Sequence, residues 1–508
     1  MVFPTTTQLR RLPEDDAQVI NRKKSLVFTF DGRQYSAFEG DTIASALTAA
    51  GAATFTRSLK YHRRRGLLCA AGNCPNCLVQ IGDEPDVRAC CTPVQDGMTV
   101  KAQNAAPSLD FDVLNVTEAL DRFLPAGYAY KAFMRPRSLW PAYEYYLRHT
   151  QGFGKVDLNA QPGYFDKEYK HADVTVVGGG PTGMTAALAA ADLGARVILM
   201  ETESALGGHL RYATHEIEGK PAYQYAAELA AKVMAHANIE VLTGTTAFGR
   251  YDENWIGAAQ GNRLIKLRTQ SLVVASGSYE IPLLFENNDL PGIMLGSAVR
   301  RLIHLYGALP GTRAMLVSAN SRGLQTALDL IAVKVQVQAV VEMSGAPDAD
   351  LIAQIKKAGV RVINGASIVK ASEALGRVSS VTLQIGNKTE DIECDLLVLS
   401  TGYMPAYELL YQAGTKLVWD AQINEFTPGT LPEGVFAAGE AVGTHDLVDA
   451  QQEGAWSGTL AAQAAGLTID SERAEADGKA VSAQRAQRVA WTTVSVPAKA
   501  SRHEMVCL

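Results

Sequence analysis

Five of the seven cysteines, Cys69, Cys74, Cys77, Cys90 and Cys91, crowd into one short segment, while Cys394 and Cys507 stand alone. Thiols grouped in this way read as metal ligands or redox groups rather than as a disulfide framework. The spacing Cys69-x4-Cys74-x2-Cys77 is the C-x4-C-x2-C pattern of plant-type [2Fe–2S] loops, and Cys90 supplies a fourth thiol further along. Thiolates are soft, strong donors, and four of them complete two tetrahedral irons bridged by sulfide. Zinc usually takes two Cys-x2-Cys pairs, and only Cys74/Cys77 is such a pair. A zinc site and a relic loop stand as the alternatives. Cys91 has no place in the pattern and reads as a spare thiol.

A second constellation begins at Val174-Thr175-Val176-Val177, a buried-strand pattern followed by Gly178-Gly179-Gly180-Pro181-Thr182-Gly183. A helix over Met184–Leu193, a strand over Arg196–Met200 and then Glu201 complete a dinucleotide-binding fingerprint. Gly178, Gly180 and Gly183 make the tight turn and let a pyrophosphate approach the helix N-terminus, where Pro181 and Thr182 sit. Glu201 is placed to accept hydrogen bonds from a ribose. Gly207-Gly208 follows closely, as in flavoproteins with two dinucleotide-binding domains. The strands ending at Gly277 and Gly402, and the segment Gly434–Glu440 with Gly439 and its acid Glu440, read as later returns to the same site. That split favours FAD over NAD, with NAD the alternative in the same place. No Ser/His/Asp or paired-carboxylate set near these glycines suggests acid–base catalysis, so no catalytic residue is assigned.

A further strand–turn–helix–strand unit runs from Ala314 to Glu342. Its turn, Ser318-Ala319-Asn320-Ser321-Arg322-Gly323, keeps only the last glycine, so side chains fill the space a pyrophosphate needs. The expectation is a retained Rossmann scaffold without a working NAD(P)H site. Before the cysteine loop lies Lys60-Tyr61-His62-Arg63-Arg64-Arg65. It reads either as a solvated basic face or as cations that raise a cluster potential or meet a flavin phosphate or an acidic partner. The three arginines are accordingly expected at a subunit contact.

The elements that position these residues are legible in outline. Leu26–Phe30 and Arg33–Phe38 flank Asp31-Gly32, a hairpin signature. Asp41 reads as the N-cap of a helix from Thr42 to Ala50, stopped at Gly51. Strand, hairpin, helix and cysteine loop give the order of a β-grasp ferredoxin. Residues 103–170 are dense in proline (Pro125, Pro136, Pro141, Pro162) and, from Tyr128 to Phe153, in aromatics. They read as an ordered connector packed internally. The tail from Asp470 to Leu508 reads as flexible or partner-bound. The expected class is α/β: residues 1–24 an extension, 25–102 a [2Fe–2S] ferredoxin-like domain, 103–170 the connector, 171–300 with 395–468 a split FAD-binding Rossmann-like domain, 301–394 an inserted degenerate NAD-type domain, and 469–508 the tail.

Composition sets the bounds. A chain of 508 residues, 47% hydrophobic and 20% charged, is a multidomain globular protein and excludes a largely disordered one. A net charge of −6 argues against a nucleic-acid partner. The most apolar stretch, Met184 to Met200, is broken by Asp192 and Arg196, so no transmembrane segment is expected. Arg10-Arg11 is followed by Leu12-Pro13-Glu14-Asp15 rather than an apolar segment, which leaves a cytoplasmic location as the expectation.

The whole resembles the α subunits of heteromeric amine and amino-acid oxidases and dehydrogenases, a group that includes sarcosine oxidase, octopine and nopaline oxidases, hydrogen cyanide synthase and hydroxyproline dehydrogenase. The resemblance covers about residues 25–468. It rests on Tyr61-His62-Arg63, Arg88-Ala89-Cys90 with Asp96-Gly97-Met98, Val177–Gly183, Gly207-Gly208, Asn320-Ser321 and Gly434–Glu440. It implies oxidation of a secondary amine or N-substituted amino acid, of the sarcosine, proline/hydroxyproline or opine class. The substrate would react on a D-amino-acid-oxidase-like, FAD-containing β subunit, with electrons passing through this chain to an acceptor. It also leaves room for FMN at the β-subunit interface and for further small subunits. Unlike sarcosine oxidase α subunits, the sequence keeps all four cysteines, shows no folate-binding half and carries Glu440. A dehydrogenase passing electrons through iron–sulfur is therefore favoured over a simple oxidase. An NAD(P)H-dependent FAD/[2Fe–2S] reductase and a scaffold with relic sites are the alternatives.

Overall fold

The computed structural model describes residues 9–120, 135–150, 158–159, 163–344 and 347–488. Pro125, Pro162, much of the Tyr128–Phe153 aromatic run and the end of the tail with Cys507 lie outside the described residues.

Strands β1 (Asn21–Phe30) and β2 (Arg33–Glu39) pair as the expected antiparallel hairpin. Asp31 and Gly32 turn it with φ of 47° and 78°, the left-handed pair that matches strand twist. Helix α1 (Ile43–Ala49) follows, with every residue buried. Its N-cap is Thr42 rather than Asp41: Thr42 accepts from the Ser45 N–H, and Ser45 Oγ accepts from the Thr42 N–H, a reciprocal capping box. Asp41 is buried and serves a longer-range purpose, accepting both guanidinium arms of Arg11 (3.1 and 2.8 Å) and the Ser45 hydroxyl (2.6 Å). Strands β3 (Leu78–Ile81), β4 (Glu84–Arg88) and β5 (Thr99–Ala102) complete a sheet of order β2-β1-β5-β3-β4. Its β1–β5 pair is parallel, the β-grasp arrangement.

The chain next builds a second sheet. Strand β6 (Asp166–Val177), helix α2 (Pro181–Asp192), strand β7 (Val197–Met200), helix α3 (Ala222–Ala235) and strand β8 (Ile239–Leu242) form a parallel unit. Strands β9 (Thr245–Tyr251), β10 (Trp255–Gln260) and β11 (Arg263–Val274) are an antiparallel meander whose last strand returns parallel to β6. Val174, Val176, Val273 and Val274 are fully buried, as a parallel strand covered on both faces requires.

A third sheet has order β12-β19-β13-β14-β15, all parallel: β12 (Ile293–Leu295), β13 (Arg313–Ser318), β14 (Gln336–Glu342), β15 (Arg361–Asn364) and β19 (Leu396–Ser400). Helix α4 (Ser321–Ala332) joins β13 to β14. A three-stranded antiparallel sheet, β16 (Ala366–Ala374), β17 (Arg377–Ile385) and β18 (Lys388–Glu393), precedes β19. The chain finally rejoins the second sheet with β20 (Val435–Ala437) beside β11, then helices α5 (Leu447–Ala464) and α6 (Ser471–Gln487).

By internal contacts there are two units, one joining residues up to 161 with 282–401, the other joining 162–281 with 402–493. The boundaries at 300 and 395 therefore shift. Both β12 and β19 are short apolar runs that pair in the inserted sheet, and apolarity marks a strand without naming its neighbour. Two further expectations change. Trp140, Tyr145 and Tyr146 of the connector are 40, 65 and 56% exposed rather than packed inside. The described tail is not loose: Asp470 caps α6, Ala474 and Val481 are buried, and the Trp456 indole N–H donates to the Ala474 carbonyl at 3.2 Å. Among the described residues no helix is long and apolar enough to cross a membrane.

Candidate functional site

The cysteine loop is held at both ends by the β-grasp sheet and α1. The N–H groups of Ile43 and Ala44 donate to the Thr92 and Ala89 carbonyls, and the Ala89 N–H donates to the Cys77 carbonyl. Cys69, Cys77 and Cys90 are 4, 0 and 5% exposed, Cys74 is half-buried, and Cys91 faces solvent. Cys69 touches Cys74 and Cys90, and Cys90 touches Cys77, so the four predicted ligands are linked neighbour to neighbour. Hydrogen bonds from Cys74 and Cys90 pull the Cys69 thiol well down, while those donors are themselves pushed up. Backbone N–H groups of Ala71 and Asn73 point at the Cys69 sulfur and that of Asn76 at Cys74. A pocket with four sulfurs and convergent N–H donors fits a [2Fe–2S] cluster, whose sulfurs take such bonds. Among the described residues no three His, Cys, Asp or Glu side chains converge to hold a single metal ion. The left-handed Gly72 (φ +76°) makes room for Cys91, whose Sγ would lie 2.8 Å from an added Cβ. Cys394 is a core thiol, pushed up to about 12 by burial.

The glycine turn forms between β6 and α2. A Cβ on Gly178 would lie 2.2 Å from the Ala275 carbonyl oxygen, and one on Gly183 would lie 1.8 Å from the Gly178 oxygen. Gly180 is the N-cap of α2 and its Cβ direction meets only Gly208 Cα at 3.9 Å, while no side chain caps that helix end. Pro181 occupies the first turn and Thr182 is buried beside it. The Gly207 N–H donates to the Gly179 carbonyl (2.8 Å), which brings Gly207-Gly208 against the turn. Glu201 is nearby, but its two oxygens accept from the N–H groups of Gly179 and Glu203 (both 2.7 Å), and burial raises its carboxyl pKa. It braces the turn, and each oxygen retains a lone pair for a ribose hydroxyl.

Gly277 and Gly439 follow the neighbouring strands β11 and β20, and Glu440 accepts from Ser278 Oγ (2.6 Å), with His209 Nδ1 at 3.8 Å. The Gly402 carbonyl accepts from Ile281 N–H, beside the short Ser278–Glu280/Tyr403–Pro405 ladder. Helix α5 lies on α2 so closely that Cβ atoms on Gly454 and Gly458 would meet the Thr182 and Ala186 carbonyl oxygens at 2.4 and 2.1 Å. The Gly-x3-Gly spacing carried that signal and went unread. So did Glu453, which is 1% exposed, accepts the Gly439 N–H at 2.7 Å and pairs with Arg485 of α6. Arg485→Ala leaves that buried carboxylate without its cation. We expect a loss of about 1–3 kcal/mol, reduced because Arg485 is partly exposed, read as a lower thermal midpoint of the purified chain.

At the second turn Asn320 caps helix α4 with its own side chain. Its Oδ1 accepts from the Gly323 N–H (3.0 Å) and its Nδ2 donates to the Ser400 carbonyl (3.0 Å). The basic segment does not behave as expected. Arg63 is bidentate on Asp289 (2.9 and 2.8 Å), Arg65 pairs with the same carboxylate at 2.8 Å, and Arg64 donates to the Asp110 carbonyl at 2.9 Å. The anion that Arg63 and Arg65 meet is internal and buried, so they form neither a solvated face nor an open docking surface.

Residues 23–105 match the family described as 2Fe-2S iron-sulfur cluster binding domain, and residues 172–463 match pyridine nucleotide-disulphide oxidoreductase. The α subunit of sarcosine oxidase from Rhizobium meliloti (strain 1021) is 37% identical over 465 residues, covering 88% of this chain and 46% of that protein. The A chain of opine oxidase from Agrobacterium tumefaciens (strain Ach5) is 22% identical over 62% of this chain and 69% of its own. The chain thus spans about half the length of the sarcosine oxidase relatives it matches. Among solved structures, L-proline dehydrogenase from P. horikoshii superposes with a TM-score of 0.68 at 19% identity, over 97% of this chain and 82% of that one, a likeness of fold.

Proposed function

We infer that this chain, which belongs to the pyridine nucleotide-disulphide oxidoreductase family and carries a 2Fe-2S domain ahead of that fold, is the electron-carrying α subunit of a heteromeric flavin-dependent amine oxidoreductase. Its substrate would be a secondary amine or N-substituted amino acid of the sarcosine, proline or opine class, oxidised on a partner β subunit. The observation that carries the reading is the combination of one complete dinucleotide turn, four converging thiols and a second turn closed by Asn320. The similarity to sarcosine oxidase α subunits supports the substrate class. The bound cofactors supply one- and two-electron redox steps. The chain's residues hold them: Gly178–Gly183, Gly207 and Gly208 at a pyrophosphate, Glu201 at a ribose, and Cys69, Cys74, Cys77 and Cys90 at iron. Cys74, the least buried of the four, opens onto a cleft lined by Asn73, Pro75, Leu78, Arg88 and Cys91, a natural place for electrons to enter or leave.

The purified chain alone should not oxidise sarcosine, proline or an opine with a dye acceptor, and should do so once reconstituted with its β subunit. NADH should not bleach the flavin of the single chain within a stopped-flow experiment. Useful amine turnover by the single chain, or rapid bleaching by NADH, would replace the relay with a self-contained dehydrogenase or reductase.

A further inference from the structure

The arginine run is the motif that the function above leaves unused. Asp289 lies on the inserted segment that also clamps the cluster loop. The Leu295 N–H donates to the Leu68 carbonyl (3.0 Å), and a Cβ on Gly66 would lie 2.8 Å from Pro291 Cα. Cys69 is the next residue after Leu68. Into this contact Arg65 inserts a guanidinium only 11% exposed, paired with Asp289 at 2.8 Å. A negative charge on Cys74, one of the four predicted ligands, stabilises this guanidinium, so the two are electrostatically coupled. Arg63, gripping both oxygens of the same carboxylate, fixes where that anion sits.

We propose that Arg65 sets the reduction potential of the iron–sulfur cluster, with Asp289 as its counter-charge and Arg63 as the strut that positions Asp289. Reduction adds a negative charge to the cluster. A buried cation at the base of the cluster loop favours the reduced form, and a neighbouring anion offsets part of that effect. The two groups therefore act with opposite sign. All three are positioning residues; none is a ligand. The inference needs the cluster but no partner protein, so it can fail while the relay reading stands, and the reverse.

The test is an EPR-monitored redox titration of the cluster-loaded full chain, with iron and sulfide content and thermal midpoint measured alongside. Arg65→Met should lower the reduced-to-oxidised ratio at a fixed poise about tenfold, which is 59 mV for a one-electron couple. Arg65→Lys should keep most of the wild-type ratio, and Asp289→Asn should raise it. If Asp289→Asn does not load the cluster, the comparison of Arg65→Lys with Arg65→Met, and with Arg65→Gln as a second neutral variant, decides. Equal shifts in the lysine and neutral variants, no shift in any of them, or a lower ratio in Asp289→Asn would overturn the proposal.

Discussion

Cys77→Ser should abolish the visible charge-transfer absorption and the reduced EPR signal of this chain, while Cys91→Ser keeps both. Cys77 is fully buried, contacts Cys90 and has its carbonyl tied to the Ala89 N–H, so a serine oxygen there can neither replace the thiolate nor move aside. Iron and sulfide should fall from about two each per chain to near zero. Cys91 is exposed, its Sγ 3.6 Å from that of Cys90, and stands outside the ligand spacing of the other four. Loss of signal in both variants would mean that the fourth ligand is Cys91. Metal without sulfide in the wild type would return the site to the zinc alternative.

The last two glycines of the nucleotide turn should fail in different ways. Gly183→Val places a Cβ 1.8 Å from a backbone oxygen, where neither partner can yield. We expect a loss of about 4–5 kcal/mol and little soluble protein. Gly180→Val meets no protein atom nearer than 3.9 Å from its Cβ, so the chain should fold with a near-normal thermal midpoint. It should nonetheless lose most of its flavin, because that Cβ stands where the pyrophosphate approaches. Released flavin measured by chromatography against protein concentration separates the two. Full flavin occupancy in Gly180→Val would remove the cofactor from this turn, and release of NAD alone from the wild type would favour the other dinucleotide.

What could be read from the sequence was what is local in it. The Asp31-Gly32 hairpin and the β6–turn–α2–β7 unit are each set within a few tens of residues, and each forms as the sequence predicts. The arginine run misled because its counter-ion, Asp289, lies more than two hundred residues away in sequence. The assignment of β12 and β19 failed for a related reason: Ile293–Leu295 and Leu396–Ser400 announce burial but not partners. Asp41 lost the cap to Thr42 because Arg11, which precedes the ferredoxin-like segment 25–102, claims its carboxylate. Helix α6 was missed because it buries little more than Ala474 and Val481 against α5, too few positions to leave an apolar stripe.

The backbone-to-backbone seat of α5 on α2, and the late pairing of β20 with β11, also set a timetable on the ribosome. The turn at Gly178–Gly183 emerges early, yet the strand and helix that close it follow only after the whole of 282–401 has been made. At ordinary elongation rates, roughly 10–40 s separate the synthesis of Val274 from that of Ala464. Throughout that interval Leu272–Val274 presents an unpaired edge to any other nascent segment or chaperone. A chain released before residue 464 carries its nucleotide signature without the full strand-and-helix closure of the turn.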